Sequence, residues 1–184
     1  MRTPLAKALI FAAACSLPAV AQAQITGNIQ AKIILGAGCT IDNVSIADGT
    51  TGFDFGDLDF GTHPTNFDYA DTSLNGSTSG FEVHCSADYE PELTFNGGLY
   101  SAAATSSSFP GSRAMKSTTN KYVTYDLYLG TQTSGTPIDT SAIALNPDGD
   151  PELVLISGRA YGPGTGSPFD AGEYTDTIQV TLSL

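Results

Sequence analysis

Cys39 and Cys85 carry the most reactive chemistry in this chain. Two thiols so far apart make either a disulfide or half of a metal site, and neither has further ligands at metal-binding spacing. Two histidines, His63 and His84, and abundant serine raise the question of a nucleophilic hydrolase. The nearest approach to a G-x-S-x-G elbow is GSTSG at 76–80, whose central residue is Thr78, in an Asn-Gly turn and not ahead of a helix. His84 alternates with Cys85 and reads as a surface or sheet-edge residue; His63, before Pro64, reads as a loop residue. Asn146, Asp148, Asp150 and Glu152 alternate, as do Asp57 and Asp59, and such carboxylates have the oxygen chemistry of calcium. Gly149 is misplaced for an EF-hand loop, however, and solvated acidic turns have the same composition. No catalytic residue, metal or cofactor is expected.

The first 23 residues decide which compartment these groups meet. Arg2 and Lys7 flank the start of an almost wholly apolar stretch from Ala8 to Val20, and Ala21-Gln22-Ala23 has the small-x-small pattern cut by signal peptidase. Residues 1–23 therefore read as a secretory signal, cleaved between Ala23 and Gln24. Its apolar run of about 13 residues is shorter than the roughly 20 needed to span a bilayer as a helix. Cys15 leaves with the signal, so Cys39 and Cys85 remain as a lone pair in an oxidising setting, where a disulfide is the expected state. Closing a loop of about 46 residues would stabilise the fold by about 4 kcal/mol on the chain-entropy account. Without the signal, five basic residues face 19 acidic ones, a formal charge of −14. Those five, Lys32, Arg113, Lys116, Lys121 and Arg159, are scattered, which argues against nucleic acid as a partner.

The elements that must position these residues are strands. The remaining length suits one domain, and no long stretch shows apolar residues at helical spacing. Phe81, Val83 and Cys85 alternate with Glu82 and His84; Leu93 and Phe95 flank Thr94; Val123, Tyr125, Leu127 and Leu129 alternate with Thr124, Asp126 and Tyr128. Asn75-Gly76, Asn96-Gly97-Gly98, Pro110-Gly111, Asn146-Pro147 and Gly162-Pro163-Gly164 punctuate these runs, giving an all-β sandwich or barrel. Three tyrosines in one strand, Tyr122, Tyr125 and Tyr128, read mostly as sandwich core.

Two segments lack an evident partner. Residues 25–35, ITGNIQAKIIL, alternate Ile25, Gly27, Ile29, Ala31, Ile33 and Leu35 with polar residues, and are followed by Gly36-Ala37-Gly38. The final stretch places Tyr174, Ile178, Val180, Leu182 and Leu184 on one face and Thr175, Thr177, Gln179, Thr181 and Ser183 on the other. A last strand with an apolar face and an uncovered edge invites pairing. The two segments could complement each other within one molecule or between two.

The segments QITGNIQAKIILGAGCTI, FDFGDLDFG, GFEVHC, YVTYDLYLG, SGRAYGPGTGSPFDAGEY and YTDTIQVTLSL together resemble the spore-coat-U-like domain of archaic, Csu-type chaperone–usher pilins, with the main rod subunit nearest. The resemblance follows the chain in order and is weakest around 101–113 and 131–151. It implies an incomplete immunoglobulin-like sandwich lacking its last strand, divided as donor strand 24–35, hinge 36–38 and pilin domain 39–184. It further implies that a periplasmic chaperone fills the groove beside the terminal strand, and that at the outer-membrane usher the front segment of the next subunit replaces it. Ile25, Gly27, Ile29, Ala31 and Ile33 would then enter a groove walled by Tyr174, Ile178, Val180, Leu182 and Leu184. The implied product is a homopolymeric pilus at the cell surface, serving attachment and biofilm formation. Two other readings remain: a secreted monomeric carbohydrate-binding β-sandwich that closes on its own front strand, and a small secreted hydrolase.

Overall fold

The computed structural model describes residues 26–47, 49–74, 79–146 and 148–184. The secretory signal, its Ala23–Gln24 junction, Ile25 and most of GSTSG lie outside the described residues. The chain divides into two units, 1–35 and 36–184. In the first, residues 26–35 form no strand, and Ile29, Ile33, Ile34 and Leu35 are exposed. The strand expected there is thus not formed in the single chain, since a ladder needs a partner to supply its hydrogen bonds.

The second unit is nearly all β. Its strands are β1 Cys39–Ile41, β2 Val44–Ile46, β3 Tyr69–Ser73, β4 Gly80–Cys85, β5 Glu92–Phe95, β6 Arg113–Ser117, β7 Tyr122–Leu129, β8 Ile143–Ala144, β9 Glu152–Tyr161, β10 Tyr174–Thr175 and β11 Val180–Ser183. One short helix, α1 Ser101–Thr105, falls where the resemblance is weakest. The larger sheet runs β10-β6-β7-β9-β4-β1-β2, with β3 also on β9, and a smaller sheet runs β11-β5-β8. The long β9 pairs β4 through residues 152–155 and β3 through 157–161, while 156–160 face β7. One strand therefore bends with the curled sheet and carries both parts of it.

Period-two alternation explains the core. Phe81, Val83 and Cys85 of β4, Leu93 and Phe95 of β5, and Val123, Tyr125 and Leu127 of β7 are buried, together with Ile41, Val154, Ile156 and Ala160. These curled antiparallel sheets close over a single apolar interior, the arrangement of an immunoglobulin-like sandwich. At one edge, Asp42 and Asn43 take left-handed conformations (φ 49° and 64°) in the two-residue turn between β1 and β2, a role Asx residues tolerate. Cys39 and Cys85 stand opposite each other in the β1–β4 ladder with Cα atoms 4.0 Å apart and are joined in a disulfide.

The tyrosine strand departs from simple alternation. All of Val123 to Tyr128 is buried, so the polar Thr124 and Asp126 are inside as well. Asp126 accepts hydrogen bonds from Ser112 N, Ser112 Oγ and Tyr161 Oη at 2.8–2.9 Å, and Tyr161 Oη meets Tyr128 Oη at 3.0 Å. A polar network therefore fills the face of β7 turned away from the main core. Tyr122 is 37% exposed and its ring stands at 6.1 Å from Tyr100, over which Lys116 also sits.

Candidate functional site: an apolar groove beside the last strands

The groove is built from the terminal segment on one side and the segment between β2 and β3 on the other, with core side chains as its floor. It has a volume of about 1990 Å³. Phe81, Phe95, Met115, Val123, Tyr125, Leu127 and Ile156 form the floor. The groove opens onto the sandwich core and is larger than a small-ligand pocket, which runs to roughly 300–1,000 Å³.

The terminal wall is two strands where one was expected. Tyr174 and Thr175 pair with Ser117 and Lys116 of β6, while Val180 to Ser183 pair with Phe95 to Glu92 of β5, so the chain crosses between sheets at 176–179. Asn96 holds the crossing: its backbone N donates to Gln179 O at 3.0 Å and its Oδ1 accepts from Gln179 N at 2.9 Å. Among the described residues, each of β10 and β11 stands last in its sheet, so each has a bonded side and a free side. Tyr174, Asp176, Ile178, Val180 and Leu182 are half-buried and alternate with exposed residues; Leu184 is 51% exposed.

Asp176 is the inward residue that alternation of apolar types misses. Its Oδ2 accepts from Tyr125 Oη and its Oδ1 from Leu99 N, both at 2.8 Å, and a Cβ on Gly98 would run into its carboxylate. Burial, reinforced by the Asp176 carboxylate beside it, pushes the Tyr125 hydroxyl far above the ordinary tyrosine range, so it stays a donor. Arg113, one of the scattered cations of the sequence, is also inside, 1% exposed. It donates from Nε to Asn96 O at 3.1 Å and from Nη1 to Ile138 O at 2.7 Å. Burial pulls its pKa below the ordinary arginine value, and its negative neighbours oppose that pull.

The opposite wall is the Phe-Gly run FDFGDLDFG. Phe53, Phe55, Leu58 and Phe60 turn inward although no strand forms there among the described residues. Phe55 packs edge-on against Phe53 and Phe81, with centroids at 5.0 and 4.9 Å, and Phe60 stands 6.0 Å from Tyr125. The aspartates between them make local turns: Asp54 Oδ1 accepts from Gly56 N at 2.9 Å and Asp59 Oδ1 from Gly61 N at 2.7 Å, with both glycines at positive φ. The acidic loop at 146–152 is likewise self-bonded, Asn146 N donating to Glu152 Oε2 at 2.7 Å and Asp150 N to Asp148 Oδ1 at 2.9 Å. Among the described residues no backbone ladder joins the two walls.

The remaining chemistry-bearing residues are apart. His84 is exposed on β4, opposite Thr40, and His63 Nε2 lies 2.7 Å from Phe60 O in a loop. No serine is hydrogen-bonded to either ring among the described residues.

Comparison with known proteins bears on this arrangement. No curated protein matches the sequence. Among solved structures, the chain is similar to the chaperone–tip adhesion subunit pre-assembly complex of the archaic chaperone–usher Csu pili of Acinetobacter baumannii. Identity is 18% and the TM-score 0.44, over 80% of this chain and 40% of that one. This chain therefore spans less than half the length of that chain. The Spore Coat Protein U domain pattern matches residues 25–181, which include ITGNIQAKIIL, the disulfide, the Phe-Gly wall and β10. The chain belongs to the Spore Coat Protein U domain family.

Proposed function

We propose that this protein is a structural pilus subunit, exported to the cell surface and polymerised by donor-strand exchange, with residues 24–35 of one copy filling the groove of the next. One observation carries the reading: the groove opens onto the sandwich core beside two strands whose outer sides are free, and its half-buried terminal wall, 174–184, has as many residues as the alternating arm 25–35. A strand of that length runs about 35 Å, enough to line the whole wall. Ile29 and Ile33 are 99% and 78% exposed in the single chain, and covering each would contribute about 1.5–3 kcal/mol beyond a new main-chain ladder. A head-to-tail joint of this kind does not close on itself, so it propagates as a filament.

Before assembly the same groove suits a strand lent by a periplasmic chaperone, released at an outer-membrane usher; attachment and biofilm formation follow as roles of the filament. No catalytic step is needed. The test is deletion of 24–35. The shortened protein should still fold and bind a chaperone strand yet give no SDS-resistant ladder that collapses on boiling. Ladders from the shortened protein would overturn the reading, and a stable glycan-binding monomer from the full mature chain would favour a self-closed lectin.

A further inference from the structure

We propose that the Asp176–Tyr125 pair sets the register of the inserted strand by admitting only a small residue opposite Asp176, and that this residue is Ala31 of a second copy. The inference rests on the donor-strand reading above.

The wall alternates inward at 174, 176, 178, 180 and 182, and only 176 is polar. Both carboxylate oxygens of Asp176 have one fixed donor, Leu99 N and Tyr125 Oη, and both Asp176 and Tyr125 line the groove. A carboxylate has about four acceptor sites, so two remain that water must serve. A large apolar side chain pressed over it would strip that water without replacing it, whereas a methyl group leaves room for it. The position therefore selects against bulk and not for affinity.

The arm has two small residues on its apolar face, Gly27 and Ala31. Setting Ala31 opposite Asp176 in an antiparallel pairing puts Ile33 opposite Tyr174, Ile29 opposite Ile178 and Gly27 opposite Val180, with Leu35 running past the wall to Gly172. The polar face agrees. Lys32 falls opposite Thr175, where Glu173 is its diagonal neighbour, within reach for opposite charges across a ladder. A parallel insertion would put Gly27 at Asp176 instead and Lys32 opposite Thr181, between Gln179 and Ser183, where it meets no charge. Every ladder among the described residues is antiparallel, the more stable pairing per residue.

Cysteine pairs on the exposed face read the register without touching the groove. Filaments of the full mature chain carrying Lys32→Cys with Thr175→Cys, Glu173→Cys, Thr177→Cys or Thr181→Cys are oxidised, boiled and run without reductant. The Thr175 pair should give the dominant intersubunit cross-link, severalfold above the others. A dominant Glu173 or Thr177 cross-link means a slip of two residues, and a Thr181 cross-link means parallel insertion; each overturns this register and leaves strand donation standing. Filaments that form with none of the four cross-links likewise overturn this register, whereas strand donation itself falls only if protein lacking 24–35 still forms ladders. In a second measurement, Ala31→Leu should lower filament yield about tenfold, and adding Asp176→Ala should recover part of it. Unchanged assembly of Ala31→Leu would remove Asp176 as the selecting residue.

Discussion

Gly158 of β9 and Leu58 of the Phe-Gly wall pack so closely that a Cβ at 158 would collide with the Leu58 side chain and stand 3.0 Å from Phe60 Cζ. The absence of a side chain on one strand thus lets the groove wall lie down on the sheet. In an open strand position, Gly→Ala gains about 0.4–1 kcal/mol by restricting the unfolded chain. Here the sign should reverse. Gly158→Ala is expected to destabilise by about 1–3 kcal/mol through overpacking, read as a lower urea midpoint, and Leu58→Ala should relieve much of that further loss in the double variant. A raised midpoint for Gly158→Ala alone would show that the wall does not rest on β9.

The disulfide closes 46 residues between β1 and β4, immediately after the arm. Its neighbour Gly38 is held by Ser86, its N donating to Ser86 Oγ at 3.1 Å and its O accepting from Ser86 N at 3.0 Å and from Ser86 Oγ at 3.2 Å. Paired replacement of Cys39 and Cys85 by serine should cost about 4 kcal/mol, again by urea denaturation, because the unfolded chain regains that loop's freedom. Denatured, unreduced mature protein should show no reactive thiol; two thiols would contradict the bond.

Asp71 and Arg159 face each other across the β3–β9 ladder and form a two-pronged ion pair, Nε–Oδ1 and Nη2–Oδ2 both 2.7 Å, with the guanidinium 4.5 Å over the Tyr69 ring. The hydrogen bond from Arg159 holds the Asp71 carboxyl below its ordinary value of 3.8. A depressed carboxylate contributes stability that is present above its unfolded pKa and lost as pH falls through the folded one, so the pair should act at neutral pH and fade below 3.8. The side chains are 29% and 38% exposed, so solvent screening limits the coupling to about 1 kcal/mol or less. A double-mutant cycle with Asp71→Asn and Arg159→Met, run at neutral and strongly acidic pH, measures it; coupling that persists in acid would contradict the assignment.

Strands whose one face is apolar were readable from period two alone, as β4, β5 and β11 show. β7 was half readable. Tyr125 and Leu127 face the core as alternation requires, but α1 and the Ser112 loop cover the other side, and no local pattern announces a cover that comes from elsewhere in the chain. Asp176 was hidden by its charge, since alternation of residue types assigns an aspartate outward; its parity with Tyr174 and Ile178 was the signal that could have found it. Phe53, Phe55, Leu58 and Phe60 face inward, yet their spacing changes after Phe55, so the run fits no strand period. Arg113 had no local signal, because the carbonyls that satisfy it lie at 96 and 138. The arm showed the reverse case: residues 26–35 carry a clear strand pattern and form no strand, because a ladder needs a second strand to supply its hydrogen bonds.

Tyr125 should leave its mark at high pH. Its hydroxyl is pushed far up, first by burial and then by Asp176, so the folded protein keeps this proton where the unfolded chain has lost it. A raised pKa contributes stability that is complete below the unfolded value, near 10, and declines as pH climbs from there toward the folded one. Stability should therefore fall above about pH 10, by about 1.4 kcal/mol per pH unit for each such tyrosine. Tyr161, raised by burial and by its bonds to Tyr128 and Asp126, adds a second, and Tyr174, raised by burial and by the nearby Asp170, a third, both half-exposed and so screened by solvent. Tyr125→Phe removes one of these contributions. It should cost about 1–3 kcal/mol at neutral pH, because Asp176 loses a donor in a half-buried place, and should flatten the alkaline slope by one proton's worth. Urea midpoints of parent and variant, taken at neutral pH and across the alkaline limb, separate these effects. A variant that loses stability at neutral pH but keeps the parent's slope would place the missing proton on another group and remove Tyr125 from the groove's polar pair.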